Sequence, residues 1–263
     1  MANHRRIGAH IPSTELFDAA TARGADAVQI FLGDPQGWKK PEVLFEGGGP
    51  ALKAAAEKAD IDLYVHAPYI INVASSNNRI RIPSRKILQQ TVTLAAEIGA
   101  KGVVVHGGHV TKGEEPEVGL DNWRKAMERL EPGAPVLIEN TAGGDHAMAR
   151  TLEMLGRLFD ALEGTDAGFC LDLCHAHAAG IDLTRGLDQV LAATERIDLV
   201  HVNDSKGEFG SGQDRHANIG GGTIGADVIA AAVVDSGAPG ICETKPEGQA
   251  DDIAFLRKAV DAA

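Results

Sequence analysis

The chain is poor in cysteine, short of positive charge and free of long apolar runs. Its three cysteines are an odd number among 263 residues, and none is spaced C-x-x-C. A fold stapled by disulfides is therefore excluded, and a reduced protein is expected. No stretch approaches the roughly 18 uninterrupted apolar residues that a membrane span needs. The opening MANHRRIGAH runs directly into a strand-like segment, so no export signal is expected and the cytoplasm is the expected compartment. Lysine and arginine number 25 against 37 aspartates and glutamates, a net charge of −12. That excludes a protein whose whole surface attracts nucleic acid. It leaves open a local cationic site, because a phosphate responds to the local field, and bound dications add their own charge.

What is present is a repeated unit: short apolar strand, loop, amphipathic helix. Strands are expected at 6–10, 27–31, 62–66, 102–106, 135–139, 168–172, 198–202 and 239–243. Most are almost continuously apolar, as strands covered on both faces are. Leu152, Leu155, Leu158, Phe159 and Leu162 recur at helical spacing, as do Leu120, Trp123, Met127 and Leu130, and Ile87, Thr91, Leu94 and Ile98. Gly99, Gly133 and Gly164 are expected helix stops, and 251–260 is expected to be the last helix. The alternation implies one α/β domain over 1–263, either a closed barrel or an open doubly wound sheet.

In a barrel the reactive end is the C-terminal end of the strands. The expected strands end at His66, His106, Glu139, Asp172 and Glu243, and one passes through His201. A helix cap would account for any one of these. Six in succession point to a common cavity. From the loops, His175 follows Asp172 by three, and Asp214 lies two residues before His216, so that both face the same way in extended chain. Five imidazoles and four carboxylates exceed the three or four protein ligands of one zinc, and fit two or three divalent ions. The mixture of nitrogen and oxygen without thiolate suits zinc, or manganese in part, and excludes an iron–sulfur cluster. Clustered dications in a cleft suit a phosphodiester, since paired ions acidify a water and clamp the attacking and leaving oxygens.

HAPYIIN at 66–72, VVHGG at 104–108, IENTAG at 138–143, CLDLCHAHAAGID at 170–182, HVNDSK at 201–206, DRHANIGGGTIG at 214–225 and ICET at 241–244 resemble, in this order, the deoxyribonuclease IV (endonuclease IV) family of apurinic/apyrimidinic endonucleases. The resemblance implies a (β/α)8 TIM barrel with a trinuclear zinc site, manganese being an option at one position. His66, His106 and Glu139 would hold the first ion. Glu139 would bridge to a second, completed by Asp172, His201 and Glu243, and His175, Asp214 and His216 would hold the third. Glu139 then carries the catalytic role. The implied reaction is hydrolysis of the phosphodiester 5′ to an abasic site in duplex DNA, leaving a 3′-hydroxyl and a 5′-deoxyribose phosphate, together with repair of blocked 3′ ends. The expected partner is damaged duplex DNA, met by a monomer.

The chain departs from the family at two points. Gln36, in FLGDPQGWKK, stands where an arginine commonly wedges into the DNA stack, and an uncharged wedge loses attraction to phosphates; Trp38, Lys39 and Lys40 lie close by to offset this. Gly107 stands where proline is frequent. Tyr69 is the residue the resemblance places beside the extrahelical abasic nucleotide, and Lys206 is a candidate phosphate contact. The segment 76–90 carries Arg79, Arg81, Arg85 and Lys86 without an acid, which suits a phosphate contact surface at the mouth of the site. Cys170, Cys174 and Cys242 are read as small buried residues near the ligands, His10 as a residue that orients a ligand, His4 as a surface residue, and 220–225 as a flexible approach to a helix near Ala226. Two other functions fit parts of this pattern: a metal-dependent sugar isomerase or epimerase on the same barrel, and a catalytically silent protein that binds damaged DNA.

Overall fold

The computed structural model describes residues 5–263, so His4 lies outside the described residues. In chain order the strands and helices are β1 (Ile7–His10), α1 (Leu16–Arg23), β2 (Ala27–Phe31), α2 (Gly48–Ala59), β3 (Asp62–His66), α3 (Asn78–Glu97), β4 (Gly102–His106) and α4 (Pro116–Met127). Then follow β5 (Val136–Glu139), α5 (Leu152–Ala161), β6 (Gly168–Asp172), α6 (Leu173–Ala179), α7 (Asp188–Thr194), β7 (Leu199–Val202), β8 (Asp204–Ser205), β9 (His216–Ala217), α8 (Ala226–Ser236), β10 (Gly240–Cys242) and α9 (Gln249–Asp261). Eight strands close into a parallel barrel in the order β1-β10-β7-β6-β5-β4-β3-β2, which decides between the two topologies in favour of the (β/α)8 barrel. No helix among the described residues is long and apolar enough to cross a membrane.

The pleat explains why chemistry gathers at one end. Successive side chains of a strand point to opposite faces. Ala27, Tyr64, Val104, Leu137, Cys170, Leu199 and Ile241 form a small apolar cluster of their own, separate from the main core that the helices cover. Two residues further along each of those strands stand Gln29, His66, His106, Glu139, Asp172, His201 and Glu243. The barrel interior is thus an apolar plug with a polar layer directly above it.

The floor of the plug is set by glycines. Gly8 pairs with Ala27, and a Cβ at residue 8 would lie 1.5 Å from the Ala27 carbonyl oxygen. Gly102 and Gly168 make room for Leu137, whose Cδ atoms would be 2.7 and 2.6 Å from added Cβ atoms. Gly8→Ala is expected to cost about 3 kcal/mol, at the upper end of overpacking penalties because the obstacle is backbone, measured as a lower midpoint in urea unfolding.

Local chemistry places the helix starts. The Asn77 side chain caps α3 by accepting from Arg79 N at 2.9 Å, and Thr151 caps α5 by accepting from Met154 N at 3.2 Å. Trp123 on α4 is fully buried and donates from Nε1 to the Gly107 carbonyl at 2.7 Å, tying that helix to the end of β4. Two expectations change, and one element is added. Gly133 is not a helix stop, because α4 ends at Met127 and the glycine instead packs closely on Val92 of α3. The chain after β7 forms an antiparallel ribbon, β8 with β9, in which Ser205 faces His216. And 220–225 is not a loose approach to α8: the buried Asp204 carboxylate accepts from the backbone N–H groups of Gly220, Gly222 and Ile224 at 3.0, 3.1 and 2.9 Å.

Candidate metal centre

All nine expected ligands converge at the C-terminal end of the barrel. Their ligand atoms form overlapping groups: His66, His106 and Glu139; Glu139, Asp172, His201 and Glu243; Asp172, His175 and His216; and Cys174, Asp214 and His216. Glu139, completely buried at the end of β5, divides its carboxylate between groups. Its Oε2 lies 3.2 Å from His66 Nε2 and 3.3 Å from His106 Nε2, while Oε1 lies 3.1 Å from His201 Nδ1 and 3.2 Å from His175 Nδ1.

Asp172 is shared more widely than its assignment to a single ion implied. As the cap of α6 it accepts from His175 N through Oδ1 at 2.7 Å, and this explains the Asp-x-x-His spacing. Its Oδ2 is 3.9 Å from both His201 Nδ1 and His216 Nε2, so the carboxylate stands between two groups. Asp214 reaches His175 Nε2 at 3.2 Å and His216 Nε2 at 3.0 Å, and is 56% exposed at the mouth.

Tautomers follow from fixed acceptors. His66 Nδ1–H donates to the Ala67 carbonyl at 2.7 Å, His175 Nδ1–H to the Asn140 carbonyl at 2.9 Å, and His216 Nδ1–H to the Glu243 carbonyl at 2.9 Å. In each, Nε2 is left to face the cluster. His201 is reversed, with Nε2–H donating to Gln29 Oε1 at 2.9 Å and Nδ1 inward.

The site fits cations. His216 Nε2 is buried and faces only carboxylates, Asp214 Oδ1 at 3.0 Å and Asp172 Oδ2 at 3.9 Å, with poor geometry for a hydrogen bond. No lysine or arginine among the described residues is paired with Glu139, Asp172, Asp214 or Glu243; their ion-pair partners are histidines. Burial raises the Glu139 carboxyl, but the His201 and His106 imidazoles outweigh it and hold the group well below its ordinary value. His175 and His216 hold the Asp214 carboxyl down, and for Glu243 burial, which raises it, is outweighed by the charge of His201. Burial lowers His175 and His216, yet carboxylates prevail: Asp172 first for His175, and Asp214 first for His216, which rises to about 9. His201 is also raised well above its ordinary value, against burial, by the Cys170 and Glu243 side chains, whereas burial dominates at His66 and lowers it.

At neutral pH the ion-free cluster therefore carries protons that arriving cations displace. Loading is expected to release at least about one proton at pH 7.5 and fewer above pH 9, because the His216 imidazole, raised to about 9, is increasingly deprotonated there. Calorimetric titration in buffers of different ionisation enthalpy reads this number directly.

The expected DNA contacts divide. Tyr69, about half exposed, lies over the first group, stacked on His106 with ring centroids 5.6 Å apart and 5.1 Å from the His66 ring. Its backbone N–H donates to the Pro35 carbonyl at 2.8 Å, which links it to the loop carrying the exposed Gln36. Arg79, with Trp38, Lys40, Pro83 and Lys86, lines a cleft of about 520 Å³. Lys206 is exposed beside the ribbon. Arg81 is committed elsewhere: Nη1 donates to the Ser75 and Ser76 carbonyls at 2.8 and 3.0 Å, bracing the loop before α3. Arg85 likewise turns inward to the Asn122 carbonyl. The three cysteines are free and buried, as expected.

Three residues of the site lay outside the sequence reading. Asn140 Oδ1 accepts from Asp172 N at 2.7 Å, and Asn203 Nδ2 donates to Asp172 Oδ2 at 2.8 Å. Gln29 bonds two ligands at once. Gln29 was visible as the one polar residue in the strand AVQIF, and the asparagines as neighbours of ligands in IEN and HVN.

The sequence profile of a family described as xylose isomerase-like TIM barrel matches residues 17–259. A Mycobacterium bovis protein named probable endonuclease 4 is 56% identical over 252 residues, covering 96% of this chain and 98% of that one. The crystal structure of endonuclease IV from Thermus thermophilus superposes with a TM-score of 0.83 at 30% identity, covering 98% of this chain and 100% of that one. A D-tagatose 3-epimerase-like protein superposes with a TM-score of 0.78 at 19% identity, covering 98% of this chain and 97% of that one, a likeness of fold alone.

Proposed function

Because the chain belongs to the endonuclease IV family of xylose isomerase-like TIM barrels, we propose that it hydrolyses the phosphodiester 5′ to an abasic site in duplex DNA with three divalent ions, zinc foremost. It is a DNA-cleaving hydrolase of the apurinic/apyrimidinic endonuclease type. The finer reading adds repair of blocked 3′ ends and a single catalytic domain over 1–263, working as a cytoplasmic monomer. One observation carries the reading: Glu139 splits its two oxygens between two histidine groups, and Asp172 stands between the second of these and a third.

His66, His106 and Glu139 would hold one ion, Glu139, Asp172, His201 and Glu243 a second, and His175, Asp214 and His216 a third, with Asp172 within reach of the last. Such ions, when bound, acidify a water and clamp the attacking and leaving oxygens of an in-line displacement. The chain's own groups do the rest. Glu139, through both oxygens, sets the spacing of two positions. Buried imidazoles present bare nitrogens because backbone carbonyls hold their other N–H. Tyr69 covers the mouth over His66 and His106, where it can stand beside an extrahelical abasic nucleotide, which is cheaper to hold outside the stack than an intact base.

The cationic cleft supplies grip in an otherwise acidic protein. Arg79→Ala is expected to weaken binding evenly across duplex sequences and to reduce the salt slope of affinity by about one, read by fluorescence anisotropy between 50 and 200 mM salt.

The direct test is a duplex with one abasic site. Cleavage leaving a 3′-hydroxyl and a 5′-deoxyribose phosphate supports the proposal; binding without cleavage would establish the silent binder instead. A sugar isomerase needs one or two ions and would leave His175, Asp214 and His216 without work. Elemental analysis giving near three ions per chain supports the nuclease, and one supports the isomerase.

A further inference from the structure

Gln29 is fully buried inside the barrel, two residues above the apolar plug, on β2, a strand that contributes no ligand to the cluster. Its amide touches three side chains. Nε2 donates to Glu243 Oε1 at 2.6 Å and lies 3.0 Å from His10 Nδ1, while Oε1 lies 2.9 Å from His201 Nε2. The orientation is forced. An ionised Glu243 can only accept, so the NH2 end must face it, and the oxygen is left for His201.

Each end of the amide then dictates the state of one ligand. An oxygen at His201 Nε2 requires a proton there, so the neutral imidazole keeps its bare lone pair on Nδ1. That atom faces Glu139 Oε1 at 3.1 Å and Glu243 Oε2 at 3.4 Å. The N–H on Glu243 Oε1 occupies that oxygen and leaves Oε2 as the ligating atom. The amide nitrogen also lies against His10 Nδ1, which itself stands 3.3 Å from Glu243 Oε1, so His10 packs on the same amide–carboxylate pair from the far side. Among the described residues, His201 has no backbone carbonyl in the role that Ala67, Asn140 and Glu243 carbonyls play for His66, His175 and His216. Gln29 fills that role.

We propose that Gln29 is a positioning residue for a single metal position, the one shared by Glu139, Asp172, His201 and Glu243, setting the tautomer of His201 and the ligating oxygen of Glu243 together. This rests on the metal reading above. Groups that orient a ligand in this way are worth 10- to 100-fold in metal affinity.

The test is zinc competition against a chromophoric chelator, with thermal unfolding of the ion-free protein, for wild type, Gln29→Met and Gln29→Glu. Gln29→Met keeps the volume and removes both bonds; one zinc is expected to weaken by about 10- to 100-fold while the others hold, and the ion-free midpoint to stay within about 3 °C. Gln29→Glu keeps the acceptor for His201 but sets a like charge against Glu243. Its deficit relative to wild type is expected to shrink as pH falls from 8.5 to 6, because the introduced carboxyl, once protonated, donates as the amide did. A structural role would leave that ratio flat. Unchanged zinc affinity in both variants, or loss of every zinc alike with a lower ion-free midpoint, overturns the proposal. Absence of tightly held zinc in wild type would overturn the metal reading itself, and is distinguished by appearing before any substitution is made.

Discussion

Glu139→Ala is expected to lower cleavage of an abasic-site duplex by at least about 10³-fold in kcat, or roughly 4 kcal/mol of transition-state stabilisation. The magnitude follows from position. Glu139 is the one carboxylate whose two oxygens face four imidazoles, those of His66, His106, His175 and His201. Removing it disturbs two ion positions together, whereas losing Asp214 at the exposed rim disturbs one. Removal also takes one buried counter-charge from the His175 and His201 imidazoles. Single-turnover cleavage with elemental analysis separates the effects: activity should fall along with fewer than three ions per chain. A variant that cuts at the wild-type rate removes Glu139 from the bridging role. Glu139→Gln refines the result, because an amide keeps one oxygen donor but cannot serve both groups. It should retain more metal than Glu139→Ala while remaining deeply impaired.

How far the sequence announces this site depends on whether a residue's partner is local. The six candidate ligands at the barrel strand ends are legible because each follows an apolar inward residue by two, as Leu137 precedes Glu139 and Cys170 precedes Asp172, and the pleat turns that spacing into a shared layer. Asp172 and His175 are legible because helix capping makes the spacing of three geometrically productive. The barrel itself follows from alternation of strand and helix periods, though only strand pairing settles closure. What stays hidden is long-range. Gln29 meets His201 across 172 residues of chain, and nothing in AVQIF distinguishes it from an isolated polar residue on a strand. The β8–β9 ribbon returns His216 to the site through pairs too short to show periodicity. Asp204 holds the glycine loop by accepting from N–H groups up to 20 residues away, a role any aspartate in a loop could be given on paper. Arg81 is a further case: nothing in a basic segment announces that its guanidinium also braces the loop before α3 through the Ser75 and Ser76 carbonyls.

Complete removal of metal is expected to abolish cleavage and to weaken the fold, and the burial gradient sets how slowly this happens. Glu139, Asp172 and His201 are sealed at the floor, and Asp214 is the exposed member. Brief exposure to EDTA should therefore leave cutting intact, and exhaustive chelation should reduce it by more than about 10³-fold, with recovery on adding zinc. The stability loss has a calculable scale: one ion present at a thousand times its dissociation constant contributes about 4 kcal/mol, or roughly a 10 °C shift in melting for a chain of this size. Its pH dependence is opposite to that of the loaded protein. Without ions, the cluster holds together through imidazoles whose pKa is raised on folding, His216 to about 9. That contribution is full below the unfolded value near 6.5 and fades as pH rises through the folded one, whereas metal affinity strengthens as the imidazoles lose their protons. The gap in melting temperature between loaded and ion-free protein should accordingly widen from pH 6.5 to pH 9.5. A gap that narrows over that range, or cleavage that persists with less than about a tenth of an ion per chain, would mean that these carboxylates and imidazoles are paired with one another for their own sake and not held ready for cations.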